Sequence, residues 1–177
     1  AFEVLAPDVD ETPREGETPE ALVCRLAAEK AGAVAATAAA RGRPVLAADT
    51  TVVLDGISLG KPADRAEALA MLAALSGRWH EVVTGIAVAA PAEPAPRVRS
   101  VRTRVRFRDV PEAERMAYVA TPEPYDKAGG YGIQGLAAVF VAEVEGSCSN
   151  VVGLPLAETE ALLREAGVDT WALRGAE

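Results

Sequence analysis

The stretch from Pro44 to Pro62, PVLAADTTVVLDGISLGKP, leaves its backbone few options. Two runs rich in β-branched residues, VLAADTTVVL and ISL, meet at Asp55 and Gly56, a dipeptide suited to the paired positive φ values of a tight hairpin turn. A hairpin must therefore be housed in a chain whose other segments alternate between helical and extended periodicity. The combination predicts an α/β fold with a mixed, partly antiparallel sheet flanked by helices. Turn length also decides which residue faces Lys61. A two-residue turn sets Thr50 there, and a three-residue loop from Leu54 to Gly56 sets Asp49 there.

Around the hairpin, Ala1 to Val9 reads as a short strand and Asp10 to Gly16 as a charged loop. Thr18 caps a helix with Pro19 in its first position, carried to about Ala40 by Leu22, Val23, Leu26 and Val34. Lys30 falls near the inward edge of that helix, where a lysine either snorkels out or meets an anion. Asp64 and Glu67 form a capping-box-like pair for a helix with Leu69, Leu72 and Leu75, which stops at Ser76 and Gly77. Further strands are expected at Val82 to Ala89, through Arg97 to Arg108, and at Leu136 to Val144. Short helices are expected at Pro111 to Ala120 and at Ala157 to Ala166, the latter with Gly167 as its C-cap. Between them TPEPYDKAGGYGIQG carries too much Gly and Pro for either period, so it reads as an ordered, ligand-shaped loop. No repeat or linker interrupts the chain, and residues 1–177 read as a single domain.

Charge narrows the partners. A net charge of −8 argues against a general polyanion binder. The six arginines from Arg97 to Arg108 alternate with Val98, Val101, Thr103, Val105 and Phe107, the pattern of an outward strand face balanced by acidic neighbours, so no nucleic acid is expected. No apolar run reaches the length of a membrane span, and AFEVLAPDVDETP has neither the basic nor the apolar region of a leader. Cys24 and Cys148 give no disulfide or zinc spacing, which makes a reducing cytoplasm the expected compartment.

Of 18 basic residues, only Lys30, Lys61 and Lys127 are lysines. Lysine is a compact, flexible point charge suited to phosphate, whereas arginine is a planar fork, so the few lysines of an arginine-rich chain mark places where arginine would fail. His80, Gln134 and Asn150 are likewise the sole members of their types. One histidine excludes a His-rich metal site and any Ser or Cys triad that does not use His80, and Pro62 after Gly60 and Lys61 excludes the usual phosphate-binding loop. Carboxylates and lysines remain, the kit of Mg²⁺-assisted phosphoryl chemistry. Asp49 follows the apolar run Val45 to Ala48 in a strand expected to be buried, so its carboxylate should meet a cation or open on a cleft. Glu11, within DVDETPREGE, reads by spacing alone as part of a solvated charge cluster.

The strings ADTTVVLDG, LGKP, LSGRWHEVVTG, YDKAGGYGIQG and VVGLPL, in this order, closely resemble the Maf family of nucleotide pyrophosphatases, from Phe2 to the last helix. The resemblance implies a fold like that of the inosine triphosphate pyrophosphatases, with two lobes around a cleft, and commonly a homodimer. It implies cytoplasmic hydrolysis of nucleoside triphosphates to monophosphate and diphosphate, dependent on a divalent metal cation, Mg or Mn. Carried onto this chain, it makes Asp49 the proton acceptor or metal-linked activator of water, and Glu11 and Asp49 the metal ligands. Lys30, Lys61 and Lys127 become the phosphate-binding lysines of the cleft and of the DKAG motif. Thr50 and Gln134 become the substrate-specificity positions, and these two identities resemble the branch acting on dTTP and UTP rather than the sister branch acting on 7-methyl-GTP. Chemically, the Gln134 amide suits the O4 and N3 edge of uracil or thymine because it both donates and accepts. From another functional class, the same fold could serve as a non-catalytic nucleotide- or partner-binding regulator of septation. The family's SxSPRR pattern does not occur among these 177 residues, so the resemblance starts after the family's opening strand and loop.

Overall fold

In the computed structural model, which describes residues 2–37, 39–40, 42–91 and 93–172, the hairpin forms with the shorter of its two possible turns. β1 (Val45–Leu54) and β2 (Ile57–Leu59) run antiparallel, with Leu54 opposite Ile57 and Val52 opposite Leu59. Asp55 and Gly56 take φ of 52° and 80°, so both central residues are left-handed, as a two-residue hairpin turn requires. Continued onward, this register aligns Thr50 with Lys61, and the alternative that aligned Asp49 with Lys61 is overturned. β3 (Trp79–Ala89), β4 (Arg97–Phe107) and β5 (Val141–Glu145) complete a five-stranded sheet in the order β2-β1-β3-β4-β5, antiparallel at both edges. With helices α1 (Pro19–Ala35), α2 (Arg65–Leu75), α3 (Glu112–Tyr118), α4 (Cys148–Val152) and α5 (Leu156–Glu165), the chain has the α/β architecture expected of it.

The caps are where the sequence places them. The Thr18 hydroxyl accepts from the Ala21 amide at 3.2 Å to start α1, and the Asp64 carboxylate accepts from the Glu67 amide at 2.9 Å to start α2. Three expectations fail for identifiable reasons. α1 ends at Ala35 rather than near Ala40, because the Thr37 hydroxyl turns back onto the Val34 carbonyl at 2.7 Å and competes with the helical ladder. Residues 2–9 form no strand, since no neighbouring strand pairs with them and Phe2 and Val4 remain 92% and 82% exposed; Ala1 lies outside the described residues. Leu136–Phe140 is a 3₁₀ turn, with β5 beginning only at Val141. Burial of Ala137 and Phe140, three apart, fits that turn better than the alternation of a strand.

The chain divides into two compact units, the described residues of 1–49, 84–101 and 156–177 forming one and those of 50–83 and 102–155 the other. In the first, Ala27 and Ala31 of α1 pack with Ala87 and Ala89 of β3 and with Val45 and Ala47 of β1. Side chains this small let helix and strand approach closely. At Gly85 of β3 a Cβ would lie 2.3 Å from the Val23 carbonyl oxygen.

The second unit is built around Leu72, Leu75, Val82, Val105, Phe107, Tyr118, Tyr131 and Phe140. His80 stands edge-on to Phe107 and Tyr131, with its Nε2 2.7 Å from the Tyr131 hydroxyl. Burial drives the imidazole down to about 4 from an ordinary 6.5, so the ring is neutral, and with its proton on Nδ1 the Nε2 accepts a hydrogen bond from the tyrosine hydroxyl. The folded value lies below the unfolded one. Stability is therefore intact above about pH 6.5 and is lost as pH falls toward 4, by about 2 kcal/mol between pH 7 and pH 5 from this group. Urea titrations at those two pH values should show that difference in the native chain and not in His80→Phe; an equal pH dependence in both would refute the assignment.

Along β4 and just past its end every arginine meets a glutamate: Arg97 with Glu93 and Arg99 with Glu165 in the first unit, and Arg102 with Glu81, Arg104 with Glu145, Arg106 with Glu143 and, after the strand, Arg108 with Glu114 in the second. This is the charge-balanced strand face that the alternation predicts. Cys24 and Cys148 are free thiols, and no helix among the described residues is long and apolar enough to cross a membrane.

Candidate active site

Asp49 is the last residue of β1 that belongs to the first unit, and α1 lays Lys30 against it. The Lys30 Nζ lies 2.6 Å from Asp49 Oδ1 and 2.6 Å from Glu11 Oε1, so one ammonium joins two carboxylates. Lys30 and Asp49 are only 19% and 15% exposed, and Glu11, at 59%, opens the cluster to solvent. Burial alone would push the lysine down; the bonds to Asp49 and Glu11 outweigh it and hold the ammonium above its ordinary value. The cation that answers the strand carboxylate is thus Lys30. Lys61 does not take that place, because the two-residue turn aligns it with Thr50.

Glu11 sits on a loop that has no regular structure, yet the loop is held. Arg25 of α1 grips Glu17 with Nε and Nη2 at 2.7 and 2.9 Å and donates from Nη2 to the Thr12 carbonyl at 3.1 Å, one residue beyond Glu11. It also meets Glu29 one helical turn away. The hydrogen bonds from Arg25, and then that from the Arg14 amide, hold the Glu17 carboxyl down at about 2. Sequence inspection passes over Arg25. Its i,i+4 spacing to Glu29 is visible, but only the fold reveals the grip on the loop.

In the second unit, the Thr50 hydroxyl donates to the Gly153 carbonyl at 3.4 Å, just past the end of α4. Lys61 is exposed immediately after β2. The Gly129 amide donates to the Gly60 carbonyl at 2.9 Å, which ties the Lys61 segment to the glycine-rich loop. Gly129 is left-handed, with φ 68°, and a Cβ on it would come within 2.9 Å of Val52, so this seat admits only glycine. On the loop, Lys127 Nζ lies 2.8 Å from Asp126 Oδ1. The bond from Lys127 lowers the Asp126 carboxyl, and the charge of Lys61 adds to the effect, which brings the two lysines and Asp126 into one electrostatic neighbourhood. Gln134 is exposed at the corner of a turn closed by the Gly135 amide on the Gly132 carbonyl at 3.1 Å. Within the first unit, Glu11, Lys30 and Asp49 thus form a cluster, and within the second, Lys61 and Lys127 share one neighbourhood with Asp126.

Glu11 and Asp49 each turn a carboxylate oxygen toward the position of the Lys30 nitrogen, and oxygen donors suit Mg²⁺ or Mn²⁺. Among the described residues, no three or more acidic, histidine or cysteine side chains are arranged to hold a metal ion by themselves. Any such ion would need oxygens from a ligand or water to complete its shell.

Residues 1–166 match the family model described as Maf-like protein. The chain is 54% identical over 168 residues to the dTTP/UTP pyrophosphatase of Shewanella oneidensis, a match covering 94% of this chain and 86% of that one. It is 55% identical over 167 residues to the dTTP/UTP pyrophosphatase of Myxococcus xanthus, covering 94% and 83%. With the dTTP/UTP pyrophosphatase of Nitratidesulfovibrio vulgaris the identity is 52% over 167 residues, covering 94% and 78%.

Proposed function

This chain belongs to the Maf family, and we propose that it hydrolyses the pyrimidine nucleoside triphosphates dTTP and UTP to nucleoside monophosphate and diphosphate. The observation that carries the reaction class is the single ammonium of Lys30 joining Glu11 and Asp49. The substrate class is supported by relatives, more than half identical over nearly the whole chain, that are named for it.

Glu11 and Asp49 would hold the divalent ion. Bound there, it would polarise a phosphate oxygen and acidify a water. Asp49, shielded from solvent, is the group to accept the proton of a water attacking the α-phosphorus. Lys30 orients both carboxylates, since its one ammonium lies at hydrogen-bond distance from each. Lys61 and Lys127 offset the charge that grows on the departing diphosphate, and Asp126 restrains the flexible stem of Lys127. Thr50 and Gln134 select the base, Gln134 through an amide that donates to O4 and accepts from N3. We further assign the protein to the cytoplasm and to a homodimer, the latter testable by equilibrium sedimentation.

Gln134→Glu replaces a donor and acceptor with a group that only accepts when ionised. Its kcat/KM should fall about 10²-fold for dTTP and UTP, with much smaller changes for purine nucleotides and 7-methyl-GTP. Equal losses on every base would exclude base reading by Gln134. A native chain that preferred 7-methyl-GTP would move it to the sister branch.

A further inference from the structure

Gln134 lies on an exposed turn and has no buried side chain of its own to fix it, so something nearby must hold that turn. The group that does so lies thirteen residues before Leu136, the first residue past the loop. Glu123 accepts from the Leu136 amide through Oε2 at 2.8 Å and from the Ala137 amide through Oε1 at 3.2 Å. The Tyr118 hydroxyl donates to the same Oε1 at 3.1 Å and helps fix the carboxylate. An anion bonded to two successive amides at the start of a 3₁₀ turn makes charge-assisted hydrogen bonds to donors that the turn cannot satisfy itself. Glu123 thus closes the loop across its base, and Gln134 stands two residues before the first bonded amide.

Gly135 shows how close the carboxylate is. Its φ of −109° and ψ of −151° are extended, a region open to side-chain-bearing residues, so its backbone does not call for glycine. Space does: a Cβ at Gly135 would lie 2.4 Å from both carboxylate oxygens of Glu123. The missing methyl is the room in which Glu123 reaches the two amides.

We propose that Glu123 is a positioning residue for base selection: by holding the Leu136 and Ala137 amides across Gly135, it fixes the turn that presents Gln134 to the nucleotide. This rests on the assignment of Gln134 as the base-selecting residue. Two unlike substitutions should then act alike. Glu123→Ala removes the carboxylate, and its counterpart, Gly135→Ala, leaves the carboxylate in the chain but displaces it with a methyl group at an exposed position.

The test compares dTTP, UTP and GTP turnover in the full chain with amide hydrogen exchange at residues 136 and 137. Each single variant should raise KM for dTTP and UTP about tenfold or more with a smaller change in kcat, and so narrow the pyrimidine-to-GTP ratio. Glu123→Gln, which keeps one acceptor, should fall between Glu123→Ala and the native chain. The double variant should be no worse than Glu123→Ala, since the added methyl then has no carboxylate to displace. Both single variants should also speed exchange at Leu136 and Ala137. Unchanged exchange in both, an unaltered pyrimidine preference in both, or a double variant whose loss is the product of the two singles would overturn the proposal. A native chain with no pyrimidine preference would instead strike the substrate assignment, and the exchange arm would still decide whether Glu123 holds the turn.

Discussion

Asp49→Asn should reduce diphosphate release from dTTP by about 10³-fold while leaving the chain folded. The amide keeps the shape of the carboxylate but cannot take the proton of an attacking water, and it is a poorer ligand for a hard cation. Lys30 is not orphaned by the change, because Glu11 still lies 2.6 Å from its Nζ. The loss of one charge from a mostly shielded pair should therefore appear in kcat far more than in the unfolding midpoint. Stopped assays at saturating dTTP, run beside a thermal melt, separate the two. Release at the native rate would remove Asp49 from the chemistry, whatever the melt shows.

The second large effect concerns stability. Gly85→Ala should cost about 3 kcal/mol and lower the melting midpoint by roughly 10 °C. The added methyl would meet the Val23 carbonyl oxygen at 2.3 Å, the Val23 carbonyl carbon at 2.5 Å and the Cys24 amide nitrogen at 2.7 Å. All three are backbone atoms of α1, so no rotamer change relieves the contact. Either the helix lifts from β3 or the strand bends. Gly32, inside the same helix, is the control: a Cβ there meets nothing within 4 Å, and Gly32→Ala should stabilise the chain by about 0.5–1 kcal/mol. Guanidinium denaturation of both variants measures the contrast, and a Gly85→Ala chain as stable as the native one would show that α1 can move away from the sheet at little cost.

What the sequence disclosed was mostly local. Asp55 and Gly56 dictate their turn because two consecutive positive φ values admit few residues, and Thr18 and Asp64 cap their helices because the bonded amide lies only three residues on. Two of the misreadings trace to a partner distant in sequence, whereas the early end of α1 has a local cause in the Thr37 hydroxyl. Leu136 to Val144 has the composition of a strand, but the carboxylate of Glu123 caps a helical turn at its start. Asp49 was expected to meet a cation or open on a cleft, and only the three-residue loop would have set Lys61 opposite it; a ten-residue strand and a seventeen-residue helix bring it Lys30. Arg25 shows the same limit, since its bond to the Thr12 carbonyl leaves no trace in periodicity. The candidate site residues could be picked out as chemical types and by family resemblance, while the residues that hold them in place became visible only in the fold.

The sheet has its long strands inside, ten and eleven residues in β1, β3 and β4, and its short ones at the rims, three residues in β2 and five in β5. Pro62 lies just beyond β2 and has no amide hydrogen with which to prolong the ladder. On β5, Glu143 and Glu145 are exposed. A neighbouring molecule seeking to extend the sheet therefore meets a stub at one rim and a charged strand at the other. In a crowded cell, that arrangement protects the folded chain from being recruited strand by strand into an aggregate.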